Sequence, residues 1–300
     1  MEDDVMAQGH NEGDSKIEAL LAVVEQFQPG VRERFELRRR IDPAFAEAVL
    51  TYAARLFGRP VLDVRTRLLV MVGQFTMSRR HARLRETVIA ACNHGLNLNE
   101  VLEVILQCSI YGGESIVDEP LEIFAEEAGA RGLLDGVSAK ALQPGQRNAE
   151  RSLEAERQTW HPVDSKDPRA DALLKKYGWH GISIALVLRP LHTLNNATFL
   201  ESLDENFTHA FYDFGYSDMY GRQVLDHRTR LLCMVGNTLA IGEIVQTRHH
   251  MRTAIKQGAS AREVLEVLFQ SVVTVGHPNI VPERFRDLAK IVEEESGASF

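Results

Sequence analysis

Glu243, Gln246 and His250 lie three and four residues apart, the spacing that lays side chains along one face of a helix. An imidazole titrates near neutrality, so His250 is a natural proton donor and acceptor. Glu243 would orient it or serve as a second acid, and Gln246 adds a hydrogen-bonding group between them. Arg222 has the fork of N–H donors that grips a carboxylate bidentately. Tyr216 sits in the aromatic stretch FYDFGYSDMY, which reads as core with one or two members lining a cavity. His277 follows a helix and suits a pocket edge. These residues predict an acid–base site: His250 and Glu243 do the chemistry, while Gln246, Arg222, Tyr216 and His277 hold a small substrate. Arg252 is roughly 200° around the helix from His250 and reads as a salt bridge or subunit contact. His249 points away.

The elements that must position these residues occur twice. A shift of 163 positions lays Gly58–Val117 over the region beginning at Gly221, and from Phe57 to Val117 there are 23 identities in 61 positions. A long internal period means two copies of one unit. The copies differ where chemistry is expected: Thr87 replaces His250, Ile89 replaces Arg252, and Arg80 and Arg83 replace Glu243 and Gln246. Glu114 stands in place of His277. A single active site would therefore belong to the second copy, with the first as structural partner and one wall of the pocket. Arg222 has a twin, Arg59, which favours a structural role common to both copies.

Helical periodicity runs throughout, and no segment alternates as a strand would. Residues 1–15 read as a disordered acidic tail, 16–135 as the first, degenerate helical repeat, 136–171 as a linker containing Pro144, Pro162 and Pro168, and 172–300 as the second repeat. Helices are predicted over Lys16–Phe27, Pro43–Phe57, Val64–Thr76, Thr198–Phe214, His227–Leu239 and Glu283–Glu294. Asp63 and Asp226 are the expected N-caps. Gly95 and Gly258 are the expected left-handed terminators. Asn97–Glu100 and Ser260–Glu263 have the capping-box spacing.

The net charge of −8 argues against a nucleic-acid partner. The most apolar run, Ile182–Leu188, is too short to span a bilayer, and no signal peptide opens the chain. Cys92, Cys108 and Cys233 are dispersed and read as reduced thiols of a cytoplasmic protein. The sequence contains no dinucleotide or phosphate-loop motif and no recognisable metal triad, so neither cofactor nor metal is expected.

LDHRTRLL, a following H-x-R helix ending at Gly258, and EVLEVLFQSVVTVGHP together resemble the carboxymuconolactone decarboxylase family. The resemblance covers Phe207–Val292 and, more weakly, Pro43–Glu127. It implies an all-α fold that assembles as trimeric or hexameric rings; with two tandem helical units in each chain, symmetry then predicts a homotrimer that forms a six-unit ring. It also implies one of two chemistries: cofactor-free decarboxylation of a carboxylated lactone in aromatic-acid breakdown, or thiol peroxidation through C-x-x-C. The peroxidase cysteines would fall seven and four residues before the motif histidine, where this chain has Glu243 and Gln246. The decarboxylase pattern H-x-R…G is met by His250, Arg252 and Gly258, and G-x-P by Gly276 and Pro278. Decarboxylases tend to place an acid at the position of Gln246. The expectation is a cofactor-independent lyase acting on a small carboxylated or enolisable cyclic metabolite. The competing expectation is a non-catalytic scaffold or ligand-binding ring.

Overall fold

Two helices of the same sequence pattern, Val64–Met77 and His227–Ala240, cross at the centre of the molecule. The computed structural model describes residues 2–138, 169, 172–173, 190–220, 222, 224–276 and 282–297. These residues are all-α, with no strand among them. In chain order the helices are α1 Glu2–Glu25, α2 Val31–Ile41, α3 Pro43–Phe57, α4 Val64–Met77, α5 His81–Asn93, α6 Leu98–Gln107, α7 Ser109–Gly112, α8 Asp118–Gly129 and α9 Leu134–Ser138. Later in the chain come α10 Pro190–Leu203, α11 Glu205–Tyr212, a π-helical segment Asp213–Tyr220, α12 His227–Ala240, α13 Ile244–Lys256, α14 Ala261–Thr274 and α15 Glu283–Ser296.

The crossing of α4 and α12 depends on two glycines at equivalent positions. A Cβ at Gly73 would lie 1.9 Å from Asn237 Oδ1, and one at Gly236 would lie 2.8 Å from Val70 Cγ1. Only a residue without a side chain permits this approach. The buried apolar side chains form one cluster that includes Leu69, Val104, Leu232 and Val267, and so takes in both copies.

Charge joins the copies as well. Arg222 Nε and Arg230 Nη2 donate to the two oxygens of Glu103 at 2.6 and 2.7 Å, and Arg230 Nη1 reaches Gln107 at 3.3 Å. The equivalent residues repeat this in the opposite direction. Arg59 Nε and Arg67 Nη2 donate to Glu266 at 2.7 and 3.1 Å, and Arg67 Nη1 reaches Gln270 at 3.3 Å. Arg67, Arg230, Glu103 and Glu266 are all buried. Each copy thus supplies the carboxylate that neutralises the other's guanidinium groups.

The local signals form as expected at most ends. Asp63 accepts from Thr66 N at 2.6 Å and Asp226 from Thr229 N at 2.8 Å. Gly95 and Gly258 have φ of 65° and 94°. Ser260 and Glu263 make the full capping box. In the first copy the box is incomplete: Asn97 accepts from Asn99 N, while Glu100 is held by Arg65 at 2.7 and 2.8 Å.

Three expectations are corrected. Residues 2–15 of the stretch read as a disordered tail lie in α1; no proline precedes Pro29, and Gly9 and Gly13 each cost a helix only about 1 kcal/mol. A helix over Val31–Ile41 was not expected, because only Val31 and Phe35 are buried on it. The single helix expected over Thr198–Phe214 is interrupted. Asp204 adopts φ −162° and ψ 120° and caps a new helix by accepting from Phe207 N at 2.7 Å. Most of the expected 136–171 linker lies outside the described residues. No helix among the described residues is long and apolar enough to cross a membrane.

Candidate active site

His250 lies in the middle of α13, with only 2% of its surface exposed. It borders a cavity of about 460 Å³. The cavity lies between α13 and a wall made by α11 and the π-helical segment, with α7 of the first copy closing one side. Tyr212, Tyr216 and Tyr220 stack along that wall, with ring centroids 5.7 and 5.6 Å apart. The wider turn of a π-helix changes which residues share a face, and here Phe214, Gly215, Tyr216 and Tyr220 all reach the cavity. The lining is mainly aromatic, with polar groups concentrated at Tyr111, Gln246, His250 and Thr253.

A short polar contact in the lining joins the two copies. Tyr111, on α7, brings its hydroxyl 2.6 Å from His250 Nε2, and the two rings meet edge-on at 84°. This distance is within the normal range for a hydrogen bond to a hydroxyl. Which atom carries the shared hydrogen depends on the imidazole tautomer. In either form a phenol and an imidazole are adjacent at the cavity wall, so a proton can pass between them.

Of the residues nominated from sequence, His250, Gln246 and Tyr216 come together at this cavity. Glu243 does not. It is the N-cap of α13, and its carboxylate accepts from Val245 N at 3.2 Å and Gln246 N at 3.4 Å. The expectation that it shares a helical face with His250 is therefore corrected: α13 begins after it, and the carboxylate satisfies the helix's own amides. Arg222 is also placed elsewhere, ion-paired with buried Glu103, as its twin Arg59 is with Glu266. His277 lies outside the described residues. Arg252 forms ion pairs with Glu294 and Glu295, as its position on the helix suggested.

Sequence reasoning missed Tyr111, although a signal was present. Under the 163-residue shift, Tyr111 corresponds to Thr274 and His250 to Thr87. Both members of the contacting pair are therefore threonine at the equivalent place in the other half. Phe207 was missed as lining, and the stretch FYDFGYSDMY, expected to supply one or two lining members, supplies Phe211, Phe214, Gly215, Tyr216 and Tyr220.

The cysteines are separate from this site. Cys108 and Cys233 are fully buried. Burial, reinforced by Cys233, pushes the Cys108 thiol well up, and burial pushes Cys233 up to about 12. Neither thiol is ionised at neutral pH, and a thiol in that state is a poor nucleophile. Among the described residues no three His, Cys, Asp or Glu side chains converge as metal ligands.

The described residues thus form an all-α fold with an imidazole–phenol pair at the wall of an aromatic cavity. The sequence model of the carboxymuconolactone decarboxylase family matches residues 205–286, a region containing Tyr216, Gln246 and His250. An uncharacterized 15.0 kDa protein in the nqo9-nqo10 intergenic region of Paracoccus denitrificans is 34% identical over 110 residues, spanning 34% of this chain and 81% of the relative. The chain belongs to the carboxymuconolactone decarboxylase family.

Proposed function

We propose that the protein is a cofactor-independent lyase in which His250 and Tyr111 perform acid–base chemistry on a small cyclic acid. The reading rests on one observation: the 2.6 Å contact between Tyr111 Oη and His250 Nε2 at the wall of a 460 Å³ cavity. A cavity of this size suits a small molecule. The aromatic wall would take an apolar ring, and Gln246, one helical turn before His250, would donate to its oxygen atoms.

Loss of carbon dioxide leaves an electron pair that must be held within the substrate, in an enone or lactone carbonyl. The developing enolate oxygen then needs hydrogen-bond donors, and one carbon needs a proton. Tyr111 or Gln246 would donate to the oxygen, and His250 would deliver the proton to carbon. Ring opening or isomerisation of an enolisable ring makes the same demands of the pair. The absence of a thiol pair before His250 disfavours the peroxidase branch of the family. Exposed Phe199, Leu203, Ile244 and Val245 support self-association, and we infer a homotrimer of these two-copy chains. Light scattering that reports a monomer overturns that inference.

The direct test is carbon dioxide release and ultraviolet change with γ-carboxymuconolactone. Wild type turns over, His250→Ala loses about a hundredfold or more, and Tyr111→Phe loses about tenfold. If no enolisable cyclic acid is turned over, the scaffold reading replaces the lyase.

A further inference from the structure

A second cavity, of about 210 Å³, occupies the first copy's equivalent of the site already described. Val273 and Thr274 stand where Ile110 and Tyr111 stand in the larger cavity, and Arg83 stands where Gln246 stands. Its chemistry is different. The floor is apolar, built from Val24, Phe35, Leu50, Ala53 and Phe75, with α1 and α2 supplying one side. The rim carries Arg38, Arg80 and Arg83.

The charges at the rim do not cancel. Arg83 and Arg34 both pair with Glu86, which is the carboxylate serving this group. Arg80 donates to the backbone carbonyls of Thr274 and Val275. Arg38 has no ion pair among the described residues. Burial, and then repulsion from Arg83, lower the pKa of both Arg34 and Arg38, with Glu86 opposing the shift at Arg34. Of four guanidinium groups beside an apolar hollow, two pair with Glu86 and two with no carboxylate among the described residues, an arrangement that an anionic ligand would relieve. A planar carboxylate matches the guanidinium fork, and an apolar body matches the floor.

We propose that this arginine-rimmed cavity is a second ligand site, which takes a small carboxylate with an apolar body, its charge on Arg38 and Arg83 and its body against Phe35 and Ala53. The site is separate from His250 and carries no chemistry of its own. It does not depend on the lyase reading.

Isothermal titration of benzoate into the full-length protein tests it, with uncharged benzamide and inorganic phosphate as comparison probes. Two variants act on different parts of the site. Arg38→Gln removes charge without breaking an ion pair, and Ala53→Met fills the hollow with all charges kept. Circular dichroism checks that both are folded. Benzoate should bind wild type and His250→Ala alike. It should weaken at least tenfold in each of the two variants, and benzamide and phosphate should each bind at least tenfold more weakly than benzoate. No benzoate binding by wild type overturns the proposal. So does loss in His250→Ala, which places the ligand in the other cavity. Retention in Ala53→Met reduces the effect to surface charge, and retention in Arg38→Gln removes the anion from the recognition. Phosphate as tight as benzoate makes the apolar floor irrelevant and also overturns it.

Discussion

His250 and Cys233 are both buried on helices of the second copy, and His250 lines the larger cavity. A thiol with its pKa raised to about 12 remains protonated across the physiological range. Titration of the native protein with a disulfide reagent at pH 8 should therefore leave Cys108 and Cys233 unmodified, with partly exposed Cys92 accounting for any reaction. All three should react after denaturation. Fast reaction of a second native thiol would contradict this. His250 was legible in the sequence because helical spacing and family pattern agree on it. Tyr111 was not, because its role depends on a contact 139 residues away in the chain. Glu243 is placed by a local signal and not by the helical period, since α13 begins after it. A carboxylate before a helix more often caps it.

At the level of elements, the crossing of α4 and α12 sets a steric limit. Gly→Ala normally stabilises a helix interior by about 1 kcal/mol. At Gly73 the new Cβ would meet Asn237 Oδ1, so Gly73→Ala should instead destabilise by about 1–3 kcal/mol. Adding Asn237→Ala should recover part of the loss, and thermal unfolding of the two single variants and the double variant measures the coupling. The reciprocal ion pairs make a stronger prediction. Glu103→Ala leaves Arg230 buried and uncompensated, which should cost about 3–5 kcal/mol in chemical denaturation. The α12 cap adds a dependence on pH. Burial pushes the Asp226 carboxyl up, but bonds from the Thr229 amide and hydroxyl, together with Arg65 and Arg228, hold it below its ordinary value. A depressed carboxylate stabilises the fold above its unfolded pKa of about 3.9, and that contribution is lost as pH falls through the folded value. Asp226→Asn keeps a capping oxygen and should flatten the acid limb of the stability curve below about pH 4. An unchanged limb would show that the charge contributes nothing. Most helix ends were legible because caps and glycines are local signals. The break at Asp204 was missed because the flanking sequence keeps a helical composition on both sides.

For the whole molecule, a single core and four crossed arginines tie the halves together. We expect residues 190–300, expressed alone, to be unable to persist as a folded monomer. Arg222 and Arg230 would lack Glu103, while Glu266 would lack Arg59 and Arg67. Two such fragments can satisfy each other, since Glu266 is the counterpart of Glu103. Light scattering and circular dichroism across a dilution series should show a folded dimer that unfolds as it dissociates. A folded monomer at high dilution would contradict this. The repeat was legible from sequence alone. Its intimate packing was not, because an internal period does not reveal whether copies sit apart or interlock.

The interlocking leaves a trace in how the copies have diverged. Of the 23 positions at which they agree, 19 fall in Gly58–Gly73 and Glu100–Gln107, the segments that carry the crossing glycines and the exchanged charges. Between them, Gln74–Asn99 retains only three identities, and this stretch includes Arg80 and Arg83 at the rim of the smaller cavity. The matching segments are those packed and ion-paired against each other, and the differing segment is the one that lines the cavities. The two cavities thus differ in their lining although they are built on matching, interlocked segments of the chain.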